Sequence, residues 1–256
     1  MAALSIQTSD IGIYLAILLR VSIVLFMIPI FASPQVPGVI KVFISLALTG
    51  VLYFMLKGTV SPLPFELAGL VGIAVGEIIF GTIIALSFLV IFAAFQFAGE
   101  LISFQMGFGI AQVIDPQSGA QMTVFSSWFQ LVAVLMFFSL NGHHLVLSGL
   151  VDSFRTVPMG GFALTQATFT KVVLLSGRLF VIGIKMAAPI MAILFLTHVG
   201  LGLMSKFAPE INILIVSFPL TIVLGLLFLG LSITAWGSAM EHYLANLFHL
   251  LKGLMG

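Results

Sequence analysis

Long apolar runs dominate this chain and constrain its fold more than any other feature. Hydrophobic residues make up 61% of its 256 positions and charged residues only 7%, whereas a soluble domain carries about 25% charged residues. Because so few charges cannot cover a water-facing surface, the composition predicts a protein embedded in a membrane. The runs cover approximately residues 11–31, 42–56, 67–98, 124–140, 172–204 and 211–236.

Helices are the predicted secondary structure of these runs. Lipid offers no hydrogen-bond partner to unpaired backbone groups, and no alternating strand pattern is present, so the fold class is an all-α membrane protein. A modestly amphipathic helix is predicted after Trp236, for an interface or a partner. Turn-forming residues predict the breaks between helices at Ser33-Pro34, Ser61-Pro62, Asn141-Gly142, Pro158–Gly161 and Ala208-Pro209.

The lengths of the runs are uneven. A helical span needs about 20 apolar residues, so residues 42–56 fall short of a span while residues 67–98 and 172–204 exceed one. Tilted spans and broken hairpins both remain open for the long runs, and Pro189 would permit a bend. Glycines that would permit bends or close helix packing are Gly69, Gly72, Gly76 and Gly81.

Charged residues within or beside the apolar runs are the first candidates for function. Arg20, Glu77, Arg178 and Lys185 each cost about 2.5–3.5 kcal/mol at a bilayer centre, so each should face protein, a partner or water. Arg178 and Lys185 lie two turns apart on one helical face and need acids opposite, for which Glu77 and Glu100 are available. We favour a role in subunit packing for these charges, and an ion or proton path remains the alternative.

Signals for catalysis or cofactor binding are missing from the sequence. There is no cysteine, no G-x-S-x-G motif and no phosphate-binding glycine loop. The adjacent His143 and His144 point about 100° apart on a helix and have no third ligand nearby, so no metal site is expected. A net charge of +1 provides no basic surface for nucleic acid. We therefore expect no enzyme, no cofactor and no nucleic-acid partner.

Several motifs follow one another in a recognisable order. Arg20 precedes MIPIF, Glu77 precedes Gly81, and four longer blocks follow: AGELISFQMGFGIAQVIDPQSG, LNGHHLVLSGLVDSFRTVPMG, KMAAPIMAILFL and GLMSKFAPEINILIVSFPL. In this order and spacing the chain resembles, nearly from end to end, the FliR/SctT family of type III secretion export-gate subunits.

The resemblance implies a structural channel subunit of the flagellar type III export gate, through which rod, hook and filament proteins pass. It implies assembly with FliP and FliQ, and with FlhB and FlhA beside them, into a hetero-oligomeric helical channel of broken helical hairpins. The expected location is the basal body in the bacterial inner membrane, with much of the complex raised above the bilayer plane. Within the single domain, residues 1–170 would form a FliP-like part and residues 171–256 a FliQ-like part.

The polar stretch Phe104–Phe125 has two interpretations. It is either a surface connection or, as the resemblance implies, a loop over Gln105–Gln121 that plugs the channel. In the second interpretation Met106, Phe108 and Ile110 occlude the pore, glycines give the loop conformational freedom, and Asp115-Pro116 makes a turn. The residues assigned to this plug are Met106, Gly107, Phe108, Gly109, Ile110, Asp115, Pro116, Gln117, Ser118 and Gly119.

Three other functions compete with the flagellar export gate. An injectisome subunit would share the same family. A secondary transporter for a small solute would use Glu77, Arg178 and Lys185, but transporters have two similar halves, which the sequence does not show. An intramembrane enzyme would need paired catalytic groups, which are also missing.

Overall fold

The structure, a computed structural model, describes residues 8–33, 35–56, 67–108, 124–210 and 212–255. These residues are helical apart from short connections, and no strand occurs among them, which confirms the predicted all-α class. The helices are α1 (Thr8–Met27), α2 (Pro29–Ala32), α3 (Gly38–Leu56), α4 (Leu67–Gln105), α5 (Val124–Ser139), α6 (Gly142–Thr156), α7 (Gln166–Phe207) and α8 (Ile213–Met255).

Five of these helices are long and apolar enough to cross a membrane: α1, α3, α4, α7 and α8. Helices α5 and α6 pass the same test as a pair, bent by 70° at the break between them. The described part of the chain is therefore that of a multi-pass membrane protein, as the composition predicts.

The bend between α5 and α6 lies at Asn141, one of the predicted breaks. Asn141 adopts a left-handed backbone with φ 55° and ψ 29°, a conformation that asparagine tolerates better than most residues. The breaks predicted at Pro158–Gly161 and Ala208-Pro209 also separate helices. The break predicted at Ser61-Pro62 lies outside the described residues.

The longest apolar runs each form one continuous helix. Helix α4 has 39 residues, α7 has 42 and α8 has 43, so the segment after Trp236 continues α8 without a break. Prolines interrupt the backbone ladder of two of them, Pro189 in α7 and Pro219 in α8. Such prolines are tolerated in membrane helices when neighbouring groups satisfy the freed carbonyls. Pro189 leaves the carbonyl of Lys185 without its helical donor; the indole Nε1 of Trp236 donates a hydrogen bond of 3.2 Å to the carbonyl of the next residue, Met186.

The chain divides into two compact units that share its long helices. Unit 1 comprises residues 1–89, 141–176 and 244–256. Its core forms where α1 packs against α3 and α6, and includes Ile17, Val21, Leu52 and Phe154. The two units are defined by contacts within the chain, not by similarity to other proteins. They therefore do not test the predicted FliP-like and FliQ-like parts, which stay a prediction.

Unit 2 comprises residues 90–140 and 177–243. Its interior is aromatic: the ring centroids of Phe129 and Trp236 lie 4.8 Å apart and those of Phe92 and Phe137 lie 5.2 Å apart. Helices α4 and α7 approach closely here, because a Cβ added at Gly183 would lie 2.9 Å from the carbonyl oxygen of Ala94. Glycine at this position therefore allows the two backbones to meet.

Candidate functional site

Arg20 of α1 and Glu77 of α4 form an ion pair in the interior of unit 1. The two side chains are 0% and 2% exposed, and the contact is bidentate, with Nε to Oε2 at 2.5 Å and Nη2 to Oε1 at 2.9 Å. Among the residues that the structure describes, these are the charged side chains that the fold buries. A buried charge is tolerated when it is both paired and hydrogen-bonded, as both are here.

The guanidinium of Arg20 satisfies its remaining donors inside unit 1. Nη1 donates to the hydroxyl of Ser153 at 3.2 Å and to the carbonyl of Val157 at 3.3 Å, and Nη2 also donates to that carbonyl at 3.3 Å. Arginine has five N–H groups, and all of them therefore have an acceptor. The rings of Phe80 and Phe154 lie 4.7 and 4.1 Å from the guanidinium carbon, close enough for cation–π attraction.

The connection between α6 and α7 completes the enclosure of the pair. The backbone N–H of Gly160 donates to Oε1 of Glu77 at 3.3 Å. Gly160 has φ +71°, and a Cβ placed on it would lie 2.8 Å from Cγ1 of Ile73, so glycine is required both by the backbone and by the space. The ion pair thus joins α1, α4, α6 and this connection into one hydrogen-bonded unit. Its groups have partners and no exposure to water, which suits a packing element better than an ion path.

The other three predicted charges have a different environment. Glu100, Arg178 and Lys185 are exposed at the surface of unit 2. The described residues supply no ion pair to any of the three, and Glu77 is engaged by Arg20. Because each lies in a helix of membrane-spanning character, water or another molecule must cover these charges. Their predicted role in subunit packing stays a prediction.

The three glycines assigned to close packing also differ from one another. A Cβ at Gly81 would contact Ile23 of α1 at 3.4 Å and the carbonyl oxygen of Arg20 at 3.5 Å. A Cβ at Gly76 would lie 3.9 Å from the carbonyl oxygen of Phe162, and one at Gly72 would have no atom of the described residues within 4 Å. Among the residues that the structure describes, Gly81 is therefore the one of the three that lies at a close contact between helices.

The start of the predicted plug is held on unit 2 by a defined helix end. The N–H of Gly107 donates to the carbonyl of Phe104 at 3.1 Å, and the N–H of Phe108 donates to the carbonyl of Ser103 at 3.1 Å. With φ +92° at Gly107, these bonds form a Schellman motif that ends α4. Gly107 uses its conformational freedom here to adopt a backbone that other residues rarely adopt.

Met106 and Phe108, the residues before and after Gly107, both contact helix α8. The side chain of Met106 is 0% exposed, and a Cβ added at Gly225 would lie 2.7 Å from its Sδ. The ring centroid of Phe108 lies 5.8 Å from that of Phe218 on α8 and 4.9 Å from that of Phe125 at the start of α5. The remaining residues assigned to the plug, Gly109, Ile110, Asp115, Pro116, Gln117, Ser118 and Gly119, lie outside the described residues.

Some residues of these two sites were not found by sequence reasoning. Ser153, Val157 and Gly160 carried no signal beyond their place in the block LNGHHLVLSGLVDSFRTVPMG, and Gly225 is one of several glycines in an apolar run. Within the described part of the chain, no group of three or more His, Asp or Glu residues is placed to hold a metal ion.

Comparison with known proteins identifies the family. The model of the family described as bacterial export proteins, family 1, matches residues 11–247. The flagellar biosynthetic protein FliR of Escherichia coli strain K12 is 30% identical over 247 residues, which cover 96% of this chain and 94% of that protein. FliR of Pectobacterium carotovorum is 30% identical over 89% of this chain and 86% of its own length, and FliR of Bacillus subtilis strain 168 is 31% identical over 84% of both. This chain belongs to the FliR family of bacterial export proteins.

Proposed function

We propose that this chain is a structural channel subunit of the flagellar type III protein export gate. In this role it is required for the export of rod, hook and filament proteins and therefore for flagellum assembly. The relatives described above carry the flagellar name, which favours this system over an injectisome. The chain itself would catalyse no reaction, and the energy for export would come from other components.

The exposure of charged residues on membrane-length helices is the observation that carries this proposal. Arg178 and Lys185 are exposed on α7, and only 28% of the span in α7 and 22% of the span in α8 is buried within the chain. Exposed charge costs about 2.5–3.5 kcal/mol per residue at the bilayer centre, so a single chain in lipid is an unfavourable state. Neighbouring subunits that bring acidic groups or water to this surface remove the cost.

The partners that the proposal assigns are FliP and FliQ in the gate itself, with FlhB and FlhA beside it. The complex would lie in the bacterial inner membrane at the flagellar basal body, partly raised above the bilayer plane. Residues 1–170 would take a FliP-like position in the channel wall and residues 171–256 a FliQ-like position. The segment Gln105–Gln121 would close the channel at rest, beginning at the Schellman motif of Gly107.

Gentle-detergent purification of the affinity-tagged chain, followed by native mass analysis, tests the proposal. We expect a complex of defined mass that contains several small hydrophobic subunits. A lone monomer or dimer would contradict the gate and favour a secondary transporter. A strain lacking the chain should also fail to release hook and filament proteins into the medium, and re-expression of the chain should restore that release.

A further inference from the structure

The side chain of Met106 packs against α8 at Gly225, where only glycine leaves enough space for it. We call this contact between Met106 and Gly225 the seat of Met106. Its side chain is 0% exposed, although it belongs to a stretch with many polar residues. A Cβ built on Gly225 would lie 2.7 Å from both Cε and Sδ of Met106 and 2.9 Å from its Cγ. Separations under about 3 Å are far inside van der Waals contact, so any larger residue at position 225 would displace the methionine.

Backbone contacts fix the same point of the chain. The hydroxyl of Thr221 lies 3.3 Å from the carbonyl oxygen of Met106, and it can alternatively donate to carbonyls of its own helix at 3.0 and 3.1 Å. The next residue, Gly107, has φ +92°, and a Cβ there would lie 3.2 Å from the Phe218 ring. Helix α8 therefore contacts consecutive residues at the end of α4.

We propose that Met106 is a positioning residue: its side chain, seated against Gly225, fixes the point and direction in which the chain leaves α4. This inference rests on the proposed function, because the segment that follows is the one assigned to close the channel. It also changes the role of Met106. With its side chain enclosed by its own chain, Met106 would hold the segment that the proposed function assigns to close the channel, instead of occluding the channel itself.

A cysteine pair can replace the seat by a covalent bond. A cysteine at position 106 places its Sγ where Cγ of Met106 lies, 2.9 Å from a Cβ at position 225. In a disulfide this Cβ–S separation falls between the S–S bond of about 2.0 Å and the Cβ–Cβ separation of about 3.8 Å. The chain contains no cysteine of its own, so an engineered pair within it has no competing thiol.

The experiment measures assembly and ion leak of complete gate complexes in membrane vesicles. Met106→Ala should leave the native mass unchanged and open a resting ion leak similar to that of a complex lacking residues 107–119. The pair Met106→Cys with Gly225→Cys should leak when reduced and become tight when oxidised, reversibly in the same vesicles. The matched control is Met106→Cys with Gly230→Cys, because a Cβ at Gly230 has no atom of the described residues within 4 Å; it should leak in either state.

Each contrary outcome overturns the positioning role. A Met106→Ala complex as tight as the unmodified one shows that the seat is not needed, and failure of the 106–225 disulfide to form shows that the seat is absent in the assembled gate. If the oxidised pair still leaks, or if reduction dissociates the complex, Met106 does not act by holding this segment. A leak from the 107–119 deletion together with a tight Met106→Ala complex rejects the inference alone, whereas tight complexes in both cases reject the proposed closure of the channel as well.

Discussion

Replacement of Arg20 by leucine would break the buried ion pair of unit 1. Arg20→Leu removes all five guanidinium hydrogen bonds and leaves the carboxylate of Glu77 with the N–H of Gly160 at 3.3 Å. It also leaves the carbonyl of Val157, which accepts two of the five bonds, without either donor. Ser153 is less affected, because its hydroxyl also donates to the carbonyl of Leu150 at 2.7 Å.

The expected loss of stability is large. Breaking a buried pair by removing one partner costs about 3–5 kcal/mol, and a folded domain is stable by only about 5–15 kcal/mol in total. Arg20→Lys keeps the charge but not the bidentate geometry, so we expect an intermediate loss. The double replacement of Arg20 and Glu77 by leucine should recover part of the loss, because no unpaired charge remains. It should not recover all of it, since Val157 and Gly160 keep unsatisfied backbone groups at about 1–3 kcal/mol each.

Thermal denaturation of the purified gate complex, followed by native mass analysis, measures this series. The control is Arg155→Leu, which removes an exposed arginine from α6 and should change the midpoint little. We expect Arg20→Leu to impair complex formation more than it changes ion conduction. Equal midpoints for Arg20→Leu and Arg155→Leu would show that the buried ion pair does not stabilise unit 1, and normal assembly with altered ion selectivity would assign Arg20 to a conduction path.

Two further predictions concern the surface and the packing of unit 2. Expressed without the other gate subunits, the chain should be degraded or aggregate, because Arg178 and Lys185 remain uncovered in lipid; a monodisperse folded monomer in gentle detergent would contradict this. Gly183→Ala should lower the denaturation midpoint of the complex, since its Cβ would lie 2.9 Å from the carbonyl oxygen of Ala94 and such overpacking costs about 1–3 kcal/mol. Gly200→Ala on the same helix adds a Cβ with no atom within 4 Å in the part of the chain that the structure describes, so it should not lower the midpoint. Equal effects of the two substitutions would argue against the close contact.

The sequence predicted the helical class and most breaks because those depend on local chemistry. Lipid offers no hydrogen-bond partner to unpaired backbone groups, and the turn residues Asn141-Gly142 and Pro158–Gly161 signal a helix break from the local sequence. The continuous course of α4 and α7 could not be predicted in the same way. Whether a long apolar run crosses once or folds back depends on the neighbours that pack against it, such as Trp236, whose indole contacts α7 at the carbonyl of Met186.

The candidate sites were only partly predictable for a related reason. Arg20 and Glu77 were singled out because charge is expensive in an apolar run, but their pairing spans 57 residues of sequence, and no periodicity encodes which acid an arginine meets. The seat of Met106 is a harder case. Gly225 and Gly230 lie in the same apolar helix, and only the position of Met106 in space distinguishes them.

Ion leak through a gate that lacks Gly107–Gly119 tests most directly whether this chain closes a protein-conducting channel. The deletion removes the apolar side chains of Phe108, Ile110, Val113 and Ile114 and leaves the long helices intact. We expect a complex of unchanged native mass, together with ion leak and slowed growth when the deletion is expressed. An assembled deletion complex as tight to ions as the unmodified gate would show that this segment does not close the channel and would leave Phe104–Phe125 as a connection between helices.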